Sequence, residues 1–179
     1  PETLTYFDHF LRKDYGEDYY KNLDAVVEYR KDGGLTLRER IENWFAQLVY
    51  TINQPAAARG NQSIFFNIAY FDKFYFASIF EDFIFPDGDE PCWESTQALQ
   101  KMFMEWLNNE RLKSVITFPV ETVNLLVQDG EYADVETADW VAEMWAKGAS
   151  FFCYQSDSVD SLSSCCRLRN AVEHEAFSY

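Results

Sequence analysis

Cations are scarce in this chain. Its 179 residues include 15 Lys and Arg against 30 Asp and Glu, a formal net charge of −15. So acidic a surface excludes nonspecific binding to DNA or RNA, because phosphate contacts need a basic face. A free nucleotide is a different case, since one local arginine cluster can hold a triphosphate. Long apolar runs are missing too: none reaches the roughly 18–20 residues that a membrane-spanning helix needs. No charged start leads into an apolar signal core, so the expectation is a soluble, cytoplasmic protein with no membrane partner. The four cysteines, Cys92, Cys153, Cys165 and Cys166, lack Cys-x-x-Cys spacing, and no metal site is indicated. Histidine is limited to His9 and His174. Glu173 and Glu175 flank His174, but no oxyanion motif or third partner accompanies it, which leaves a Cys–His hydrolase unsupported. His9 reads as a surface or packing residue. Internal repeats and low-complexity segments are absent.

Apolar and aromatic residues are abundant, at 47% and 18%, and the length suffices for one domain with a substantial core. Aromatics at spacings of three and four suggest a helix over residues 3–30, broken or bent near Gly16, with a turn at Lys31–Gly34. Thr36-Leu-Arg-Glu39 is a capping box. It opens an amphipathic helix with Leu37, Ile41, Trp44, Phe45, Leu48, Val49 and Ile52 on one face, ending before Pro55. Ser63–Tyr70 predicts a strand, and Phe71–Phe85 fits either a short helix or a strand. A helix is predicted over Glu94–Arg111, then a strand at Val115–Phe118, extended or followed by Val120–Val127 after Pro119. Asp129-Gly130 is a turn. A third helix, Val135–Lys147, stops at Gly148, and Ser150–Tyr154 is a strand. Strand and helix alternate from residue 63 onward, which indicates an α/β unit with parallel neighbours. Residues 156–170 are expected to project as a loop from a strand end. Glu121 lies in an apolar stretch, where a buried carboxylate needs a partner.

The pair Cys165-Cys166 is the most informative feature. Adjacent cysteines close only a strained ring, and framework disulfides belong to oxidising compartments. Ser163 and Ser164 precede the pair, and Arg167 and Arg169 follow it. A thiol beside two guanidiniums is favoured as thiolate, and the same cations could hold substrate phosphates.

The segment Ser161-Leu-Ser-Ser-Cys-Cys-Arg-Leu-Arg-Asn170 resembles the cysteine loop of anaerobic (class III) ribonucleoside-triphosphate reductases, a glycyl-radical enzyme family. Three upstream stretches fit the same family in the same order: Ala58-Arg-Gly-Asn-Gln-Ser-Ile-Phe-Phe66, Ile116-Thr-Phe-Pro-Val-Glu-Thr-Val-Asn124 and Ser150-Phe-Phe-Cys-Tyr-Gln-Ser156. A lone Cys-Cys-Arg has little specificity; four ordered segments across residues 58–170 have much more. The first fifty or so residues match less specifically.

The resemblance implies a ten-stranded α/β barrel of two half-barrels, with a radical cysteine on a loop threading the centre. On that basis residues 1–57 form a helical segment of the catalytic domain. Residues 58–179 form a half-barrel portion with the cysteine loop near 156–170. The implied activity is reduction of ribonucleoside triphosphates to 2′-deoxyribonucleotides. Cys166, directly before the Arg, occupies the position of the thiol that becomes a transient thiyl radical. The thiyl takes the ribose 3′ hydrogen, the 2′ hydroxyl leaves as water, and reduction completes the product. Ser164, Cys165, Arg167 and Arg169 are candidate substrate contacts; Cys165 could instead be a packing neighbour, and the arginines solvated charges. Asn61, Gln62 and Ser63 could offer amide and hydroxyl groups to a ligand, or form a turn that caps strand and loop. Cys92 and Cys153 read as structural or incidental, and a second redox cysteine expected in the family is not placed.

The resemblance further implies a glycyl radical, ATP or deoxynucleotide effectors, formate or a thiol as reductant, and a zinc site in a C-terminal region. It implies a radical-SAM activating enzyme as partner, and a homodimer with helix 36–53 as a candidate interface. None of the seven glycines sits in an Arg-x-x-Gly-Tyr setting near the C-terminus. With a start at Pro1 and an end at Phe177-Ser178-Tyr179, the expectation is an internal piece of a longer polypeptide, inert alone. The rivals are a noncatalytic nucleotide-sensing module on the same scaffold and a different glycyl-radical enzyme.

Overall fold

The computed structural model describes residues 2–31, 33–163 and 169–171. In chain order the elements are α1 (Glu2–Tyr15), β1 (Val26–Arg30), β2 (Gly33–Thr36), α2 (Leu37–Asn53), β3 (Asn67–Phe71), α3 (Lys73–Phe80), α4 (Trp93–Lys113), β4 (Val120–Gln128), β5 (Glu131–Tyr132), α5 (Val135–Ala146), β6 (Phe152–Ser156), β7 (Ser161–Ser163) and β8 (Arg169–Ala171). Short 3₁₀ turns occupy Tyr19–Lys21 and Ala57–Arg59. The chain forms two compact units. One holds Glu2–Phe66 and Glu94–Pro119, and the other holds Asn67–Trp93 and the described residues from Val120 on.

In the first unit, α1 stops where expected, because Gly16 adopts the left-handed conformation at φ 93°. The helical reading fails beyond it. Val26–Arg30 is a strand that pairs antiparallel with β2, Arg30 opposite Gly33, as its β-branched and aromatic residues permit. Thr36 caps α2 as predicted: its hydroxyl accepts from the Glu39 amide, and the Glu39 carboxylate accepts from the Thr36 amide. Ile41, Phe45, Val49, Phe103 and Leu107 are fully buried. The Phe45 ring meets Phe103 edge-on at 4.8 Å and Phe7 at 5.6 Å. A polar hub accompanies this core. The buried Asp8 carboxylate accepts from Tyr19 Oη at 2.9 Å, Ser95 Oγ at 2.9 Å and Arg12 Nε at 3.2 Å, joining α1, the following turn and α4. Burial raises its pKa, opposed by these donors. His9, beside it in sequence, is buried.

Two apolar stretches that read as strands are not strands. Residues 63–66 and 115–118 carry no β pairing, and Val115 is 99% exposed. They meet each other instead. Phe65 and Phe118 pack edge-on at 5.3 Å. Asn53, the last residue of α2, accepts from the Phe118 amide at 3.0 Å and donates to the Phe118 carbonyl at 2.5 Å. Ser63 Oγ donates to the Asn53 carbonyl at 2.9 Å.

The second unit is built on parallel strands. β3 and β6 each pair parallel with the central strand β4, with Ala69 opposite Thr122 and Cys153 opposite Val123. α3 and α5 lie between strands in sequence, so the parallel alternation expected from residue 63 onward is observed. Ambiguous Phe71–Phe85 contains the short helix α3, and β5 adds a tight antiparallel hairpin to β4 through Asp129 and Gly130, both at positive φ. β6 begins at Phe152, later than predicted. The stretch 156–170, expected to be a loop, carries β7, which pairs antiparallel with β8.

Candidate functional site: strand ends and the cysteine hairpin

Parallel strands gather their C-terminal ends along one edge, the usual place for ligands in α/β folds. Here that edge is organised by two buried aspartates. Asp72 follows β3 and caps α3. Its Oδ1 accepts from the amides of Phe74 and Tyr75 at 3.0 and 2.9 Å, and its Oδ2 accepts from the Leu126 amide of β4 at 2.6 Å. One carboxylate thus fixes a strand, the helix after it and the neighbouring strand. Burial raises the Asp72 pKa, the three amides oppose that rise, and the Asp134 charge adds to it. Asp134 caps α5 through Thr137 and also accepts from the Lys73 amide at 3.2 Å. Both aspartates escaped the sequence reading. An Asp directly before an apolar helical segment is the N-cap signal that identifies them.

From the end of β6 the chain makes a tight polar turn. The Ser158 amide donates to Ser156 Oγ at 3.3 Å, the Asp160 amide donates to Ser158 Oγ at 3.2 Å, and Ser158 Oγ donates to Asp160 Oδ2 at 3.0 Å. Tyr75 Oη donates to the Ser158 carbonyl at 3.2 Å. Val159 packs against the apolar cluster of Ala69, Phe71, Tyr75 and Leu126. β7 follows, and Ser163 pairs with Arg169 of β8. Residues 164–168 connect these strands, so Ser164, Cys165, Cys166 and Arg167 lie outside the described residues, as does His174. Arg169 is described by its backbone only.

The register sorts the sheet's side chains onto two faces. Asn67, Thr122, Asn124 and Tyr154 share the face of Ala69, Phe71 and Leu126. Thr122 and Asn124 are wholly buried, and Asn67 Nδ2 lies 3.5 Å from Thr122 Oγ1. Buried parallel strands are ordinarily runs of aliphatic residues, so this polar strip is unusual. The opposite face carries Tyr70, Glu121 and Cys153. Glu121 has the partner its burial requires: Tyr70 Oη donates to Oε1 at 2.5 Å. The Tyr70 ring meets Trp140 of α5 edge-on at 6.4 Å. Burial pushes the Cys153 thiol up to about 11, the behaviour of a packing cysteine.

The Gly60–Ser63 stretch belongs to the first unit and forms a turn. Gly60 and Asn61 are consecutive left-handed residues at φ 61° and 62°. The Asn61 amide donates to the Ala56 carbonyl, and Gln62 forms a bridge with Ala56. The Ser63 hydroxyl is engaged at the end of α2, as described above.

The sequence model for anaerobic ribonucleoside-triphosphate reductase matches residues 1–178, nearly the whole chain. The chain belongs to that family. Among solved structures it is similar to the anaerobic ribonucleotide reductase of Thermotoga maritima with citrate in the active site, at 32% identity and a TM-score of 0.72. That match covers 90% of this chain and 26% of that one. The Thermotoga maritima enzyme in complex with dATP and CTP matches at 32% identity and a TM-score of 0.72, over 92% of this chain and 26% of that one. A further anaerobic ribonucleotide reductase matches at 31% identity and a TM-score of 0.72, over 94% of this chain and 24% of that one. This reductase-family chain therefore spans about a quarter of the length of the structures it matches. No curated protein sequence matches it significantly. The mixed α/β architecture is that of the family, and among the described residues no helix is long and apolar enough to cross a membrane.

Proposed function

We propose that this chain is the central catalytic portion of an anaerobic ribonucleoside-triphosphate reductase, and that Cys166 is its reactive thiol. The observation that carries the reading is the Cys165-Cys166-Arg167 motif within the family-matched sequence, in the connection that follows the C-terminal end of β6. A glycyl radical on a segment beyond this chain supplies the oxidising equivalent that removes hydrogen from the thiol. Cys166 then takes the 3′ hydrogen of the ribose and later returns one. A thiol suits this exchange because its S–H bond is close in strength to a ribose C–H bond. Loss of the 2′ hydroxyl as water and two-electron reduction, by formate oxidised to carbon dioxide or by two thiols that end as a disulfide, give the deoxynucleotide. Arg167 and Arg169 bind triphosphate oxygens, with Ser164 and Cys165 beside them. Asn61, Gln62 and Ser63 stand as secondary candidates, with the turn role favoured for Ser63 by its bond to Asn53.

In this reading β3, β4 and β6 belong to a ten-stranded barrel of two half-barrels. Residues 1–57, helical apart from the β1–β2 hairpin, form a segment of the catalytic domain, and residues 58–179 a half-barrel portion. The full-length protein is a cytoplasmic homodimer, activated by a radical-SAM enzyme, regulated by ATP and deoxynucleotides, with zinc bound in a C-terminal region. The dATP and CTP named for the Thermotoga maritima complex support nucleotide effectors and substrates here. The test is anaerobic turnover. The full-length enzyme, carrying a glycyl radical verified by electron paramagnetic resonance, converts a ribonucleoside triphosphate to its deoxynucleotide in the presence of formate or a dithiol. A radical-loaded enzyme that forms no deoxynucleotide from any of the four substrates overturns the proposal. A noncatalytic nucleotide-sensing module predicts that outcome with nucleotide binding retained.

A further inference from the structure

The turn between β6 and β7 is held by bonds within itself, and β7 also approaches β4 directly. Among the described residues, two further contacts tie the turn to the sheet's apolar cluster. Val159 is seated in the apolar cluster around Tyr75, and the Ser158 carbonyl accepts from Tyr75 Oη. Tyr75 is itself fixed. Its side chain is 1% exposed, its ring lies 6.5 Å from that of Phe71, and its amide is bound by Asp72, whose other oxygen takes the Leu126 amide. A continuous path therefore runs from the backbone of β4, through Asp72 and Tyr75, to the turn that leads into β7. Apolar packing does not require the hydroxyl, since Phe fills the same volume. A buried tyrosine hydroxyl needs a polar partner, and here the Ser158 carbonyl, in the chain leading to the cysteines, is one.

We propose that Tyr75 is a positioning residue: its hydroxyl fixes the Ser158 turn that leads into β7, and through that turn it acts on the hydrogen-transfer step assigned above to Cys166. This inference rests on the reductase reading above. Hydrogen transfer between sulfur and carbon demands close approach, and small misplacements of reacting groups cost large factors in rate. The hydroxyl acts on geometry and not on nucleotide affinity or radical storage.

The experiment uses Tyr75→Phe in the full-length, radical-loaded enzyme, with a 3′-deuterated ribonucleoside triphosphate beside the ordinary one. The expected result is a fall in kcat of about tenfold, with KM and glycyl-radical yield within twofold of the parent. The deuterium effect on kcat should increase, because hydrogen abstraction becomes more rate-limiting. A kcat within twofold of the parent overturns the inference. So does a fall in kcat matched by an equal fall in radical yield, or one with an unchanged isotope effect, since either marks a general packing role. Should Tyr75→Phe not fold, Val159→Ala loosens the same turn from its apolar side. It is measured in the same way, and the same results support or overturn the inference. If the parent enzyme makes no deoxynucleotide, the reductase reading itself fails; an active parent with an unaffected variant condemns only the role of Tyr75.

Discussion

Asn53 and Phe118 form a reciprocal amide pair: the side-chain oxygen of Asn53 accepts from the Phe118 amide, and its nitrogen donates to the Phe118 carbonyl. The same nitrogen donates to the Val49 carbonyl at 2.8 Å. The end of α2 is thereby tied to the segment that enters β4. Asn53→Ala should destabilise the full-length protein by about 1–3 kcal/mol, since it leaves partly buried backbone groups unpaired. Asn53→Asp should cost more at neutral pH, because a carboxylate then faces two carbonyl oxygens. Its penalty should shrink as pH falls through the carboxylate range and the acid regains a donor. Melting temperatures of the two variants across pH check both statements; an Asp variant as stable as the parent at pH 7 refutes them.

Tyr70 and Glu121 make a second dependent pair, on the side of the sheet facing α5. Tyr70→Phe should destabilise by about 1–3 kcal/mol, because the buried carboxylate loses a donor that water cannot replace. The double variant Tyr70→Phe/Glu121→Gln should be less damaging than the sum of its parts by more than about 0.5 kcal/mol. Strict additivity in thermal unfolding would argue against the contact.

Cys153 should be inert at physiological pH. Its thiol, pushed by burial from 9.0 up to about 11, stays protonated where an exposed cysteine has begun to ionise. In the folded state its alkylation at pH 8, read by mass spectrometry, should lag far behind that of the unfolded chain. Between pH 9 and pH 11 the folded thiol keeps its proton while the unfolded one loses it, so this group's contribution to stability falls as pH rises through that window. Cys153→Ala should flatten that part of the stability profile. Rapid labelling at pH 8 would contradict the burial argument.

Cys166→Ser should abolish deoxynucleotide formation while leaving radical installation and nucleotide binding intact. Serine preserves size, but its O–H bond is too strong to exchange hydrogen with the ribose. Cys165→Ser should be milder if that residue packs, and Arg167→Lys should raise KM, because an ammonium lacks the bidentate fork. Turnover with electron paramagnetic resonance quantification distinguishes these. Normal activity in Cys166→Ser would eliminate the proposed mechanism, and the reverse order of the two cysteine variants would exchange their roles.

The helices were legible because each announces itself locally. The Thr36–Glu39 capping box, the stripe through Ile41, Phe45 and Val49, and the stop at Gly148 are short-range features. The strands were harder. Val115–Phe118 and Ser63–Phe66 carry β-prone side chains, yet they lie outside the sheet, because the register is set by a remote partner, Asn67 against Val120, which local composition does not encode. Val26–Arg30 was missed for the opposite reason: aromatic spacing earlier in the segment suggested continuing helix, and the hairpin that claims it depends on β2. The Cys165-Cys166-Arg167 motif was readable because it is contiguous. Asp72, Tyr75 and Val159, which hold the turn before β7, are dispersed in the sequence, and folding alone brings them together.

The central position of β4 carries a consequence for synthesis. As the chain leaves the ribosome, β3 emerges long before the strand that covers one of its edges, and α3 and α4 are made in between. β4 in turn waits for α5 before β6 arrives. Parallel pairing of this kind cannot begin as a local hairpin and must close long loops first. During that interval Ile68, Tyr70, Val123 and Leu125, all buried in the finished sheet, have no strand to shelter them. The nascent polypeptide is therefore most exposed to misassociation before β4 docks, and substitutions that slow this docking should lower yield in the cell even where the mature protein is unaffected.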